Sequence, residues 1–431
     1  MLDIRKTKKK LVRKISPYIL KEILRCLNIY TKITGKGINK AESRAMQALS
    51  KGVIEHYFHA YRDGAIWTSL FVPSEILFAM GLRPFSVEVA AALFTKFGRG
   101  PQALAEADVT AIPTDVCSFH RAALGQASSG IYPPPKLLVG TTTLCDSNLK
   151  TIKICESITG KKSIIIDVPY DLNDNSIKYL SGQLKNLTKC LEEIPGKKMK
   201  QDALAKSIEL SNNAREKMLE INQARKSPLS PLRGHDALGF MMPSHLLIGS
   251  KYAVNFYTEL LKEIKKGIAL KEKNGIKEEK EIRILWLELK PYFKADIFDK
   301  MGKAQNTRIV FEEINHVYWD KLDPDKPYES LARKLISNHN NGPLDNRLKV
   351  IKTLARDYNV DGIIAYSTWG CRRNNAAIPT VKKELNKEGY PLLNLDGDCV
   401  DDGNYMSGQV ATRIEGFLEM LGAKKRTEIT V

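Results

Sequence analysis

The sequence predicts an α/β protein: two Rossmann-like, flavodoxin-like subdomains with parallel sheets, preceded by a helical N-terminal arm. Three observations carry this. Nearly continuous apolar runs such as Ser163-Ile-Ile-Ile-Asp-Val168 and Arg283-Ile-Leu-Trp-Leu287 have the texture of strands buried on both faces. These runs alternate with helix-length stretches, the order that parallel pairing through crossover helices requires. A lysine- and glutamate-rich run, Lys271–Glu281 around Asn274-Gly275, divides the alternation, with three candidate strands before it and four after.

Residues 1–55 read as helical, with Ile15, Ile19, Ile23, Leu24 and Leu27 at mixed three- and four-residue spacings. Strands are expected at Ala65–Val72, Lys136–Thr141, Ser163–Val168, Arg283–Leu289, Arg308–Ile314, Gly362–Ser367 and Pro391–Leu395. Helices are expected at Val87–Phe97, Ile177–Glu192, Gln201–Lys226, His245–Lys266, Tyr328–Asn338, Pro343–Asp357 and Gln409–Leu421. Paired prolines in Ser227–Gly234 end the long helix before them. The expected domains are therefore an arm at 1–55, a first α/β domain with a helical insertion at 56–275, and a second α/β domain at 276–431.

Composition narrows the function. With 431 residues, 43% hydrophobic and 27% charged, wholesale disorder is excluded. No apolar run approaches the ~18–20 residues of a membrane span. The opening Met1–Lys14 stretch is dominated by Lys and Arg rather than by a signal-peptide pattern, so the cytosol is the expected compartment. The formal charge is 67 − 49 = +18. It is spread along the chain without an aromatic-interleaved basic stripe, which argues against nucleic acid and for a phosphorylated cofactor or an acidic partner.

In open α/β sheets ligands bind beyond the carboxyl ends of the strands. The loops there contain Thr143-Leu-Cys145-Asp, Thr368-Trp-Gly-Cys371-Arg-Arg373 and Asp396-Gly-Asp398-Cys399, and Cys117 lies in a turn opening a helical stretch. Seven scattered cysteines should be thiols, and four of them gather on one expected rim. That convergence favours a thiolate-ligated metal site, whereas Cys26, Cys155 and Cys190, inside helical patterns, read as small buried hydrophobes. No Cys-x-x-Cys pair exists, so neither a zinc ribbon nor a bacterial ferredoxin fits.

The ordered motifs Val72-Pro-Ser-Glu-Ile-Leu-Phe-Ala-Met-Gly-Leu-Arg-Pro84, Cys117-Ser118, Thr143-Leu-Cys-Asp146 and Asp167-Val-Pro-Tyr170 are similar to the first half of the 2-hydroxyacyl-CoA dehydratase component D family. That family also contains benzoyl-CoA reductase subunits. Val360-Asp-Gly-Ile-Ile, Trp369-Gly-Cys-Arg372, Gly389-Tyr-Pro-Leu-Leu, Asp396-Gly-Asp398 and Thr412-Arg-Ile-Glu-Gly-Phe-Leu-Glu419 resemble its second half. The resemblance runs collinearly from about residue 60 to 422. It implies a [4Fe–4S] cluster held by Cys117, Cys145 and Cys371 with one iron open. Cys399 has no counterpart in the family pattern. The family's double-cubane branch carries an extra Cys-Pro between the first two ligands, and the corresponding stretch here reads Gly130-Ile-Tyr-Pro-Pro-Pro.

The resemblance further implies one subunit of a radical dehydratase turning an (R)-2-hydroxyacyl-CoA into a 2-enoyl-CoA after ATP-driven one-electron activation. Its expected partners are a homologous second subunit, an ATP-hydrolysing iron–sulfur activator and the acyl-CoA itself. A benzoyl-CoA-type reductase subunit, or a subunit that only relays electrons or braces a catalytic partner, are the alternatives. The family places a Glu at the position of Glu75, facing the active site, as a proton-transfer or substrate-orienting group; a helix N-terminal Glu favoured by the macrodipole is the plainer reading. His120, Arg121, Arg372 and Arg373 stand next to the ligand cysteines and are candidates for contact with cluster, substrate or CoA phosphates. Trp369 is expected to pack over the cluster, and the helix of Arg413, Glu415 and Glu419 to be structural.

Overall fold

The computed structural model describes residues 4–34, 43–110, 112–276, 281–303 and 307–430. Among the described residues eight strands form two separate four-stranded sheets, and every pairing is parallel. The first holds β1 (Ala65–Thr68), β2 (Pro84–Ser86), β3 (Pro135–Thr141) and β4 (Ser163–Ile166), in the order β2-β1-β3-β4. The second holds β5 (Ile282–Leu287), β6 (Thr307–Glu312), β7 (Gly362–Thr368) and β8 (Leu392–Gly397), in the order β6-β5-β7-β8. Each sheet therefore reverses direction at its centre, between β1 and β3 and between β5 and β7, as in flavodoxin-like folds. β1, β5 and β7 are buried along their whole length, which is why their sequences read as unbroken apolar runs.

The differences from the sequence reading have local causes. β1 stops at Thr68 rather than Val72 because the chain turns there to start the helix Ser74–Ala79. β2, three residues opening on Pro84 at a sheet edge, is too short to show a period. The expected helix from His245 starts instead at Lys251, capped by the Ser250 hydroxyl, after a wide turn over Met242–Leu246. The arm is two helices, Ile4–Thr34 and Arg44–Asp63, the second running past residue 55. Ile19 and Ile23 lie half-exposed on the first of them, so not all of its apolar periodicity faces the core. The domain seam expected at Lys271–Glu281 falls between the helix Lys251–Lys273 and β5, and residues 277–280 of it lie outside the described residues.

The helical insertion does not stay with the first sheet. At the end of helix Ala203–Ala224, buried Arg225 makes a two-pronged ion pair with Glu312 of β6, at 2.6 and 2.9 Å, and stacks over Phe311. Both partners are dry, so the fork geometry must offset a substantial desolvation cost.

Candidate functional site

Three helices begin at cysteines. Cys117 is the N-cap of Ser118–Ser129, Cys145 of Asp146–Thr159 and Cys371 of Arg372–Lys387. At such positions free backbone N–H groups and the positive end of the helix dipole favour an anion, so each thiol is placed where a thiolate is stabilised. Cys145 follows β3 and Cys371 follows β7, at the carboxyl ends of the two central strands.

The two halves meet at this point. Gly370, with φ +73°, lies so close to the other half that a Cβ on it would stand 2.5 Å from the backbone nitrogen of Cys117. Only glycine serves there, on both conformational and steric grounds. Ser118 Oγ donates to the buried carboxylate of Asp398, one residue beyond β8. That carboxylate also accepts from the N–H groups of Val400 (2.9 Å) and Asp401 (3.0 Å) and from Asn404 Nδ2 (3.2 Å). Tyr366 Oη donates to the Asp398 carbonyl at 2.8 Å, and a Cβ on Gly397 would collide with that hydroxyl.

Burial is the largest cause that raises these thiols, and they lie close enough that Cys371 and Cys145 also raise Cys117 and Cys145 also raises Cys371. Burial pushes the Cys371 thiol up to about 12 and raises those of Cys117 and Cys145, while N–H groups of Phe119, Asn148, Ser147 and Asn374 act in the opposite sense. Without a cation these thiols stay protonated at neutral pH, and binding of a soft metal centre would release their protons. Among the described residues no three His, Cys, Asp or Glu side chains come together as ligands of a single ion. Three soft sulfurs at three helix starts are the donor type that a thiolate-ligated cluster takes. Buried polar atoms without partners among the described residues stand in the same loops and first turns: Thr143 Oγ1, Asn148 Oδ1 and Asn374 Nδ2.

His120 is buried, neutral with a pKa lowered to about 4 by burial, and sits with Nε2 3.8 Å from the Cys145 sulfur and Nδ1 3.0 Å from Thr151 Oγ1. Arg121 instead pairs with Asp108. Arg372 is exposed and pairs with Asp115, and Arg373 bonds to the carbonyl of Asn340. Trp369 is 57% exposed, so it does not pack inside the chain. Cys399 is buried with its sulfur 3.0 Å from Thr368 Oγ1. Cys155 is buried as expected, whereas Cys26 is exposed.

Glu75 is fully buried in the first turn of Ser74–Ala79. Its Oε1 accepts from Lys334 Nζ at 2.7 Å and Ser211 Oγ at 2.9 Å, while Oε2 has no partner among the described residues. Burial alone would raise its pKa, but Lys334 and Ser211 more than offset that, so the carboxyl sits below its usual range and is anionic.

The sequence reading missed two further carboxyls. Glu88, buried in the helix Val87–Lys96, accepts from Ser86 Oγ at 3.0 Å and is raised by burial to about 7; its charge acts on Cys145. Glu288 follows β5 directly with φ +71°. A charge interrupting Leu-Trp-Leu-Glu-Leu was the available signal for it.

A cavity of about 1090 Å³ lies between helices 44–63, 87–96 and 251–273 and the segment 290–298. It is largely apolar but carries Lys96, Lys290 and Lys294 together with Asp236 and Glu263, and burial, with some repulsion from Lys96, lowers Lys290 to about 8. Tyr292 on its wall donates its N–H to the Cys399 carbonyl and packs against Phe119, so the cavity backs onto the cysteine loops.

Comparison with known proteins gives this geometry a family. Residues 69–421 match the family model described as 2-hydroxyglutaryl-CoA dehydratase, D-component. The chain belongs to that family. It is similar to the (R)-phenyllactyl-CoA dehydratase alpha subunit of Clostridium sporogenes, 24% identical over 84% of this chain and 90% of that one. The beta subunit of the same enzyme is 26% identical, over 82% of this chain and 90% of that one. A benzoyl-CoA reductase subunit of Thauera aromatica is 22% identical, over 72% of this chain and 78% of that one. The family relatives are thus enzyme subunits, and both subunits of one two-subunit dehydratase resemble this chain. Among the described residues no helix is long and apolar enough to cross a membrane.

Proposed function

We propose that this chain is the iron–sulfur subunit of a radical (R)-2-hydroxyacyl-CoA dehydratase, with Cys117, Cys145 and Cys371 holding a [4Fe–4S] cluster. The observation that carries the reading is the meeting of three cysteine-capped helices where the carboxyl ends of two parallel sheets face each other. When bound, the cluster would supply the one-electron chemistry that makes a poorly acidic hydrogen β to a thioester removable. The residues of the chain do the rest. Helix starts and backbone N–H groups stabilise the anionic sulfurs, and burial keeps water from them. Glu75, anionic and pinned by Lys334, offers its unpartnered Oε2 to orient the substrate. The apolar cavity gives room for an acyl-pantetheine arm, with Lys96 and Lys290 meeting its phosphates.

A homologous second subunit, an ATP-hydrolysing iron–sulfur activator and an acyl-CoA complete the proposed system. The test is anaerobic purification with an iron count and absorbance spectrum, followed by assay of a 2-hydroxyacyl-CoA with partner subunit, activator, reductant and MgATP. Cluster iron and enoyl-CoA formation are expected; an iron-free chain that dehydrates at full rate would end this reading. The match to a benzoyl-CoA reductase subunit keeps a second reading, in which electrons remain in the product.

A further inference from the structure

We propose that Glu288 is the carboxylate that moves the proton in this site, a reading that rests on the dehydratase function above. Glu288 follows β5 directly and Cys371 follows β7, so the two occupy the carboxyl ends of the strands at which the second sheet reverses direction. Glu288 holds φ +71°, a conformation that costs a non-glycine residue energy and concentrates at functional sites.

A buried network holds the carboxyl. Arg347, 1% exposed, grips Glu313 with Nε at 2.7 Å and Nη2 at 2.8 Å, reaches Asn374 Oδ1 at 3.1 Å and meets Glu288 Oε1 at 2.5 Å. Asn374 stands in the first turn of the helix that Cys371 caps, so the network runs from the thiol to the carboxyl. One arginine faces two carboxylates. Glu313 takes its fork and is held well below the carboxylate range, with His339 Nε2 also 3.4 Å away. Glu288 is the surplus anion. Its side chain is 21% exposed against 4% for Glu313, and its Oε2 makes no hydrogen bond among the described residues. Burial and Glu313 raise its pKa, opposed by Arg347 and by Arg373, and it is the charged group acting most strongly on Cys371. Glu75, by contrast, is paired with a lysine that holds its carboxyl below the usual range.

In the step, Oε2 accepts the proton from C3 of the thioester as the C2–O bond breaks. The same proton then passes to the departing hydroxide, giving enoyl-CoA and water and restoring the carboxylate. The electron lent by a one-electron donor returns at the end of each cycle.

The test compares the wild-type chain with Glu288→Gln and Glu288→Asp, each loaded anaerobically and assembled with partner subunit and activator. Iron content, absorbance spectrum, CoA-thioester affinity, dehydration rate and solvent-deuterium exchange at C3 are measured. Glu288→Gln should keep iron, spectrum and affinity while dehydration and exchange both fall by on the order of 10²–10⁴, and Glu288→Asp should recover part of both. Exchange in Glu288→Gln within about threefold of wild type would overturn the assignment, since a lost general base costs far more. Loss of iron together with turnover would also overturn it, making Glu288 a support of the Cys371 loop. A wild-type control that carries iron but forms no enoyl-CoA would defeat the dehydratase reading itself, and this assignment with it.

Discussion

Ser118 donates its hydroxyl to the carboxylate of Asp398 across the junction of the two halves, one residue from Cys117 on one side and one from Cys399 on the other. Asp398 is buried, and burial raises its pKa against the pull of its four donors. Removing it would orphan the Ser118 hydroxyl and the N–H groups of Val400 and Asp401. Asp398→Ala should therefore lower stability by about 3 kcal/mol and Ser118→Ala by about 2, read as shifts in the urea midpoint. The double variant should cost less than the sum, because both single changes break the same bond. Strict additivity would show that the junction is held elsewhere.

The thiols give the second prediction. Cys117→Ala, Cys145→Ala and Cys371→Ala should each abolish bound iron, while replacing Cys26, Cys155 or Cys190 should leave it. Gly370→Ala should act like a ligand loss although it removes no ligand. Its new methyl group would sit 2.5 Å from the Cys117 backbone, in a strained left-handed conformation. Iron counts with circular dichroism separate a lost site from a lost fold.

For Glu75 the isosteric change is informative. Glu75→Gln keeps the size but cancels the charge opposite Lys334, so a buried ammonium loses its partner. Turnover should fall by on the order of 10²–10⁴ if Glu75 handles the substrate, with iron content retained. Unchanged turnover would reduce Glu75 to a structural ion pair.

Stability should depend on pH from both sides. His56 is buried and His245 half-buried, and desolvation lowers both to about 4, against about 6.5 when unfolded. The unfolded chain binds more protons, so their contribution is complete above pH 6.5 or so and is lost as pH falls toward 4. Glu88 has the opposite sign: raised by burial to about 7, it contributes most at low pH and loses that contribution as pH rises through 7. Urea midpoints across this range should therefore fall on the acid side in wild type, and less steeply in His56→Gln. His56 donates Nε2–H to the Pro84 carbonyl at 2.7 Å, a bond that a glutamine amide can replace. An unaltered acid slope in that variant would remove His56 as a cause.

How much of this the sequence disclosed depends on the range of the forces involved. β5 and β7 were legible because strands buried on both faces must be apolar throughout, and that pattern is local. Cys145 and Cys371 were legible because a parallel strand delivers its following residue to one rim. The role of Gly370 was not, since it depends on the backbone of Cys117 some 250 residues away, and no local rule encodes such an approach. Glu288 was absorbed into the expected strand Arg283–Leu289, because the left-handed residue that ends β5 carries a side chain rather than being a glycine. Arg372 and Arg373 were placed in the loop after the strand, yet they open a helix whose N-cap is a cysteine, a residue outside the usual capping set.

The last prediction separates the two enzymatic readings. A hydrogen β to a thioester is too weakly acidic for a positioned carboxylate alone, because general base catalysis contributes only about 10²–10⁴ in rate. The chain with its cluster should therefore be inert until an activator delivers an electron at the expense of ATP. If the product is an enoyl-CoA, the electron returns at the end of each turnover, and ATP consumed per product should fall far below one. If the product is a reduced ring or chain, electrons leave with it, and ATP and reductant should be consumed in fixed proportion to product. Stopping the supply of ATP after activation tells the two apart: turnover continues for many cycles in a dehydratase and halts in a reductase. Docking of the activator should also weaken with salt if the formal charge of +18 guides it, because exposed charges are screened beyond about 8–10 Å at physiological ionic strength. Activation indifferent to salt would leave the basic surface without that role while the electron accounting stands.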